Sequence, residues 1–182
     1  MNSRHTTEAG SQAARKIGDV LRGMGVALRN YRFTALIVIT GAFWAIQHQL
    51  YATLPKYVIR LVGKEASPEW YANVNPLVVV IMVVPLTAWA KSIKPISSIA
   101  ISFALLIVSS FTMSLSSLFS GSVDVLGWTT HPITLMMVIG IAIQGFAECF
   151  LSPRYLEYAS KEAPPGEEGL YMGYAHLNTT VA

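Results

Sequence analysis

Four long stretches of this chain carry no charged residue. Residues 33–55 run for 23 positions without one, residues 70–90 for 21, residues 95–123 for 29 and residues 125–147 for 23. Each reaches the roughly 20 residues that an α-helix needs, at about 1.5 Å per residue, to cross a hydrocarbon layer about 30 Å thick. The chain is 182 residues long, with 13 Lys and Arg and 10 Asp and Glu, so the few charges it has are concentrated in short segments between these stretches. The fold class is therefore all-α integral membrane, with spans expected at about 33–58, 70–90, 95–119 and 132–160. A soluble domain would show amphipathic helices or alternating strands, and the aliphatic and aromatic content excludes disorder. Cys149 is alone, so no disulfide forms within the chain and no paired-cysteine metal site exists.

The distribution of cations gives an orientation. If the chain alternates across the bilayer, one side receives Arg4, Arg15, Lys16, Arg22, Arg29, Arg32, Lys91, Lys94, Arg154 and Lys161, and the other only Lys56, Arg60 and Lys64. The excess of Lys and Arg puts the N-terminus and the 91–94 turn in the cytoplasm. The loop at 123–130, with Asp124 and no cation, falls outside. The expected location is the plasma membrane, which in a bacterium is the inner membrane.

Residues 1–32 form a basic segment of their own. No apolar core stands near its start, which excludes a secretory signal peptide. Ile17, Val20, Leu21, Met24, Leu28 and Tyr31 recur at spacings of three and four, with Arg15, Lys16, Asp19, Arg22 and Arg29 on the other face. This fits a helix on the cytoplasmic membrane surface or a solvated linker helix leading into the first span. Cations beside a spanning segment are ordinary juxtamembrane residues, and a nucleic-acid partner is not expected.

Breakers divide the rest. Gly63, Ser67 and Pro68 mark an outer loop, Lys91-Ser92-Ile93-Lys94-Pro95 an inner turn, and Ser120-Gly121-Ser122 a second outer loop. His131 and Pro132 open the fourth span, and Ala163-Pro164-Pro165-Gly166 closes it. Asn75 and Pro76 fit the outer start of the second span, where Asn75 either lines a cavity or caps the helix, and Pro85 removes a bond inside it. Residues 168–182 read as one further span, truncated at about 21 Å.

Polar residues inside the spans carry the functional signal. In the first span Thr40, Trp44, Gln47, His48, Tyr51 and Pro55 form a stripe; in the fourth, Gln144, Glu148, Ser152 and Tyr155 do the same. A carboxylate at membrane depth costs a few kcal/mol, so Glu148 should face the bundle interior or a water-filled cavity and have a partner: His48 within this chain, or a substrate cation. His48 and Gln49 equally suit bridges between helices. The serines of the third span, among them Ser98, Ser102 and Ser109, supply small surfaces for close packing. Spans one and four, the polar pair, sit three helices apart, as in transporters built from three-helix inverted repeats. No zinc-ligand spacing, activated nucleophile or phosphate loop is present, and neither an enzyme nor a cofactor is expected.

Gly145-Phe-Ala-Glu148-Cys-Phe-Leu-Ser152-Pro153, with Leu156, Ser160-Lys161, Ala163-Pro164, Gly169 and Met172-Gly173, resembles the tenth and eleventh helices of the proton-dependent oligopeptide transporters, a branch of the major facilitator superfamily. Phe43-Trp44-Ala-Ile-Gln-His48-Gln49 is similar to the family's seventh helix, and Trp70-Tyr-Ala-Asn-Val-Asn75-Pro76-Leu77 to the start of its eighth. The resemblance covers about residues 30–182. It implies a partial C-terminal bundle of a major facilitator fold: four full transmembrane helices and a truncated fifth, lacking an N-terminal six-helix half that belongs to the same longer chain or to a separate one.

By the same resemblance the protein is part of a secondary active transporter, driven by the proton gradient, that takes up di- and tripeptides or similar amphoteric solutes by alternating access. Glu148 stands where the family's glutamate meets the peptide's α-ammonium group, and Asn75 near the same end of the substrate. Trp44, Gln49, Tyr51, Gln144 and Ser152 complete the expected substrate site, and Glu148 and His48 are the candidates for proton coupling. Two departures stand out: His48 precedes Gln49 where the family has a glutamate, and Arg154 follows Ser152-Pro153. The partners expected are a small-molecule or short-peptide substrate and the lipid bilayer. A transporter or exporter of another solute and a non-transporting half remain as alternatives, and the chain by itself is expected not to transport.

Overall fold

The computed structural model describes residues 17–63, 68–119, 121–125 and 127–182. Arg4, Arg15, Lys16, Lys64, Ser67 and Ser120 of the sequence reading lie outside them. The order is α1 (Ile17–Arg29), α2 (Tyr31–Val62), α3 (Pro68–Ala90), α4 (Pro95–Leu115), a hairpin of β1 (Val123–Val125) and β2 (Trp128–Thr130), α5 (Pro132–Lys161), α6 (Glu168–Ala175) and α7 (Leu177–Val181). Among the described residues four helices, α2 to α5, are long and apolar enough to cross a membrane.

The helix ends follow from local chemistry. The Asn30 side chain accepts from the backbone N–H groups of Arg32 and Phe33 and so starts α2. That helix runs past Pro55 and ends at Gly63, whose φ of +116° suits glycine, so it is longer than the charge-free run alone indicates. Its last two turns tolerate Lys56 and Arg60 because both are exposed and can extend toward water. His131 caps α5 through Nδ1, which accepts from the Ile133 N–H at 3.2 Å, with Pro132 in the first turn.

Three features differ from the sequence reading. Helix α3 begins at Pro68, so Asn75 and Pro76 lie well inside it. Asn75 is thus not a cap, and Pro76 is not a helix start but an interior proline that leaves the Ala72 carbonyl without its ladder donor.

Residues 123–130, read as a plain loop, pair as an antiparallel hairpin with Val123 opposite Thr130 and Val125 opposite Trp128. Gly127, at φ +83°, makes the turn, and Thr129 donates to Asp124 at 2.7 Å.

The stretch 168–182 is not one helix. It breaks at His176, where the Thr179 N–H bonds the His176 carbonyl instead of that of Ala175. The freed Ala175 carbonyl accepts from the buried hydroxyl of Tyr155.

Helix α5 is the centre of the bundle, with α3 and α4 packed along it. Serines of α4 fasten the second pair: Ser98 donates to the Phe150 carbonyl at 2.9 Å and Ser109 to that of Gly140 at 2.7 Å. Helix α3 meets α5 at Gly145, where an added Cβ would stand 3.0 Å from Val78 and 3.3 Å from the Asn75 carbonyl oxygen. The outer face of α3 presents Leu77, Val80, Ile81, Val84 and Trp89. In a bilayer exposed aliphatics meet lipid, so this face costs nothing there. At the other side of the bundle Phe33 stacks on Tyr171 with ring centroids 4.9 Å apart, and the Asn30 amide donates to Glu162 at 3.3 Å, tying the start of α2 to α6 and to the residue after α5.

Candidate functional site

Apolar packing in the bundle is divided in two. One cluster, toward the 91–94 end, gathers Phe33, Leu36, Phe43, Leu151, Tyr155 and Tyr171. The other, toward the hairpin, gathers Leu54, Val58, Tyr71, Met113, Met137 and Ile141. Near the boundary between them stand Gln47 on α2, Gln144 and Glu148 on α5, and Asn75 on α3, whose carbonyl oxygen lies against Gly145. Gln47 and Asn75 are each 4% exposed and Gln144 fully buried, while Glu148 is half-buried.

Among the described residues one direct bond crosses this polar layer, from α2 to α5: Gln47 Nε2 donates to Glu148 Oε2 at 2.9 Å. A charge-assisted bond of this kind replaces part of the hydration that the carboxylate gives up. Tyr51 lies one turn further along α2 on the same stripe. Four buried polar atoms near this level have no hydrogen-bond partner among the described residues: Gln47 Oε1, Asn75 Nδ2, and both Nε2 and Oε1 of Gln144. An unsatisfied buried amide atom costs about 1–3 kcal/mol, so a run of them in one layer marks a place for water or a polar ligand.

The expected residues divide around this layer. Glu148, Asn75, Gln144 and Tyr51 fall in or beside it. Trp44 and Ser152 lie one turn toward the first cluster and line a cavity of about 80 Å³ with Tyr155, His176 and Asn178. Asn178, 2% exposed, has an unpartnered Oδ1 there.

The expected pairing of Glu148 with His48 does not occur. His48 is exposed and stands by Trp44, ring centroids 6.1 Å apart. At 100° per residue it is turned away from the line that runs through Gln47 to α5. Gln49 is turned further. It donates to Thr53 at 3.0 Å and lines a groove of about 420 Å³ with Met113, Ser114 and Met137, a lining that does not include Glu148.

Two residues matter more than the sequence indicated. Gln47 belongs to the stripe Thr40, Trp44, Gln47, Tyr51, and that spacing already separates it from Gln49. Arg154, counted among the loop-side cations, is buried at 5% exposed. Its Nη2 donates to the Ala90 carbonyl at 2.5 Å and to that of Ile93, and Nη1 pairs with Glu157, which also receives Lys161 at 2.6 Å. The cation thus closes the C-terminal end of α3, where the helix dipole favours positive charge. Nothing in the residue order shows this, because the carbonyls it meets lie about 60 positions upstream.

No curated protein and no solved structure matches the chain. The family profile described as the POT family matches residues 28–182, from the end of α1 through α7. An all-α bundle with four helices able to cross a membrane, a carboxylate at its polar middle and a family match over most of its length lead to one conclusion: the chain belongs to the POT family of membrane transporters.

Proposed function

We propose that this chain carries one half of the substrate site of a proton-coupled symporter for di- and tripeptides or similar amphoteric solutes. The observation that carries the reading is the Glu148 carboxylate, held from one side by Gln47 at mid-bundle among buried amides that lack partners. In low dielectric a carboxylate attracts an ammonium ion strongly, and an α-ammonium group supplies both the charge and the donors that replace lost hydration. Asn75 and Gln144 have free donor and acceptor atoms for the adjoining peptide unit, with Tyr51, Trp44 and Ser152 along the same wall.

Glu148 also serves as the proton carrier in this reading, because a carboxylate that holds either a proton or an ammonium ion couples the two. His48, exposed beside Trp44, is a second proton candidate, reached from outside the layer. Rocking about such a site calls for a second bundle facing it, which we propose is an N-terminal six-helix half. The N-terminus and the 91–94 turn face the cytoplasm, on the side with more cations.

Uptake of a labelled dipeptide under an imposed inward proton gradient, in cells expressing the gene that encodes this chain, tests the proposal. Uptake that is lost in Glu148→Gln at normal protein level and collapses with a protonophore is the expected result. Undiminished uptake by Glu148→Gln would refute the role of Glu148, and failure of dipeptides to compete with the transported solute would refute the substrate class.

A further inference from the structure

We infer that Gln47 is a positioning residue for Glu148: its amide fixes one carboxylate oxygen and thereby aims the other at the ligand. The inference rests on the proposed role of Glu148 as the site of the substrate's ammonium group.

The geometry supplies the argument. Gln47 Nε2 reaches Glu148 Oε2 at 2.9 Å, from a residue that is 4% exposed, so little water competes for the bond. The Glu148 Oε1 atom has no hydrogen-bond partner among the described residues, which leaves one of its two oxygens for a ligand. The other half of the Gln47 amide is less well placed. Its Oε1 is buried and unpartnered, and a leucine of similar volume would remove that cost entirely. An amide kept at such a position at the expense of stability points to a task other than packing.

The ionisable groups around Glu148 do not take over that task. Helix α2 offers Tyr51 and His48, and His48 is turned to Trp44. Helix α5 itself offers Cys149 and Tyr155, the latter committed to the Ala175 carbonyl. Helix α3 has Tyr71 a turn beyond Asn75, held by Thr134 at 3.1 Å, and α4 has no ionisable side chain. His176, between α6 and α7, borders the small cavity beside Ser152. Among the described residues Gln47 is the one donor bonded to the carboxylate.

A role in positioning and a role in folding differ in what they change. The test uses two ligands, alanyl-alanine and its N-acetyl analogue, which lacks the ammonium charge, with binding measured on the purified protein in lipid nanodiscs. The wild-type protein should prefer the free-ammonium ligand. In Gln47→Leu that preference should fall about tenfold, the scale of one charge-assisted hydrogen bond, while affinity for the N-acetyl analogue stays at the wild-type value in protein that remains folded. Adding Gln47→Leu to Glu148→Gln should change nothing further, since the two residues act as one unit.

If Gln47→Leu weakens both ligands equally, or adds its full effect to Glu148→Gln, the positioning role is wrong. If Glu148→Gln abolishes the preference and Gln47→Leu leaves it intact, the reading of Glu148 stands and the inference alone fails. If Glu148→Gln leaves the preference unchanged, both fail.

Discussion

Arg154 and Ala90 meet across the end of the bundle that carries the 91–94 turn: the buried guanidinium donates through Nη2 to the Ala90 carbonyl oxygen at 2.5 Å, from a helix that begins more than forty residues later in the chain. The same nitrogen reaches Ile93, and Glu157 neutralises the charge. Removing the arginine leaves two carbonyls without their donor, while Glu157 keeps its bond from Lys161. Arg154→Met should therefore lower stability by about 1–3 kcal/mol, the cost of leaving buried acceptors without their donor. Arg154→Lys should recover only part of this, since an ammonium cannot present the planar fork that serves Glu157 and the turn together. Thermal melting of the purified protein in detergent measures both. Melting temperatures equal to wild type would show that the clasp contributes nothing.

Gly145 sets how near α3 can come to α5. The 3.0 Å separation that a Cβ would have from Val78 is tighter than ordinary contact, and the Asn75 carbonyl is hardly farther. Gly145→Val should push the helices apart, at about 1–3 kcal/mol, and displace Asn75 from the polar layer. The expected outcome is lower melting together with weaker ligand binding. A variant that keeps wild-type binding would show that the placement of Asn75 is unimportant to the ligand.

The two serine bonds between α4 and α5 should contribute little singly. Hydrogen bonds between membrane helices average about 0.6 kcal/mol, so Ser98→Ala and Ser109→Ala should each lower the melting point slightly and act additively, being about three helical turns apart on α4 and sharing no partner. Ser109→Leu should do far more, because the carbonyl of Ser109 already lies 3.2 Å from where a Cβ on Gly140 would be. Equal effects of alanine and leucine at position 109 would contradict close packing there.

Tyr155→Phe should loosen the junction between α6 and α7. The phenol is the donor for the carbonyl that the break at His176 sets free, and an orphaned buried carbonyl costs about 1–3 kcal/mol. Hydrogen exchange should quicken at residues 174–180 and stay unchanged in α4. Uniform exchange rates in both proteins would mean that the hydroxyl does not hold the break.

What the chain discloses by inspection depends on whether the signal is local. The four long helices are legible because lipid imposes a requirement on every residue in turn, and a single charge ends a run. The polar stripe containing Gln47, Tyr51, Gln144 and Glu148 is legible for a similar reason, since helical periodicity fixes which residues share a face. The choice of Gln47 over His48 as the partner of Glu148 is harder to see: neighbouring residues on a helix differ by 100°, and only the packing angle of α2 against α5 decides between them. The clasp of Arg154, the junction at His176 and the approach of α3 at Gly145 all depend on distant backbone atoms, for which a sequence carries no periodic mark. Pro76 suggests a helix start because proline so often opens a helix, whereas α3 starts at an earlier proline, Pro68, which leaves Asn75 inside the helix and removes capping from its two possible roles.

Helix α3 touches its neighbour firmly at three levels: Tyr71 on Thr134, the Gly145 notch, and Ala90 under Arg154. Between these levels its surface is aliphatic and faces outward. Such a helix can drift in sequence with little penalty, exchanging valine for isoleucine or leucine at most positions while the three points of attachment are retained. Across diverging copies of this gene α3 would thus behave as a tolerant segment, its amino-acid identity eroding fastest where the fold remains unchanged.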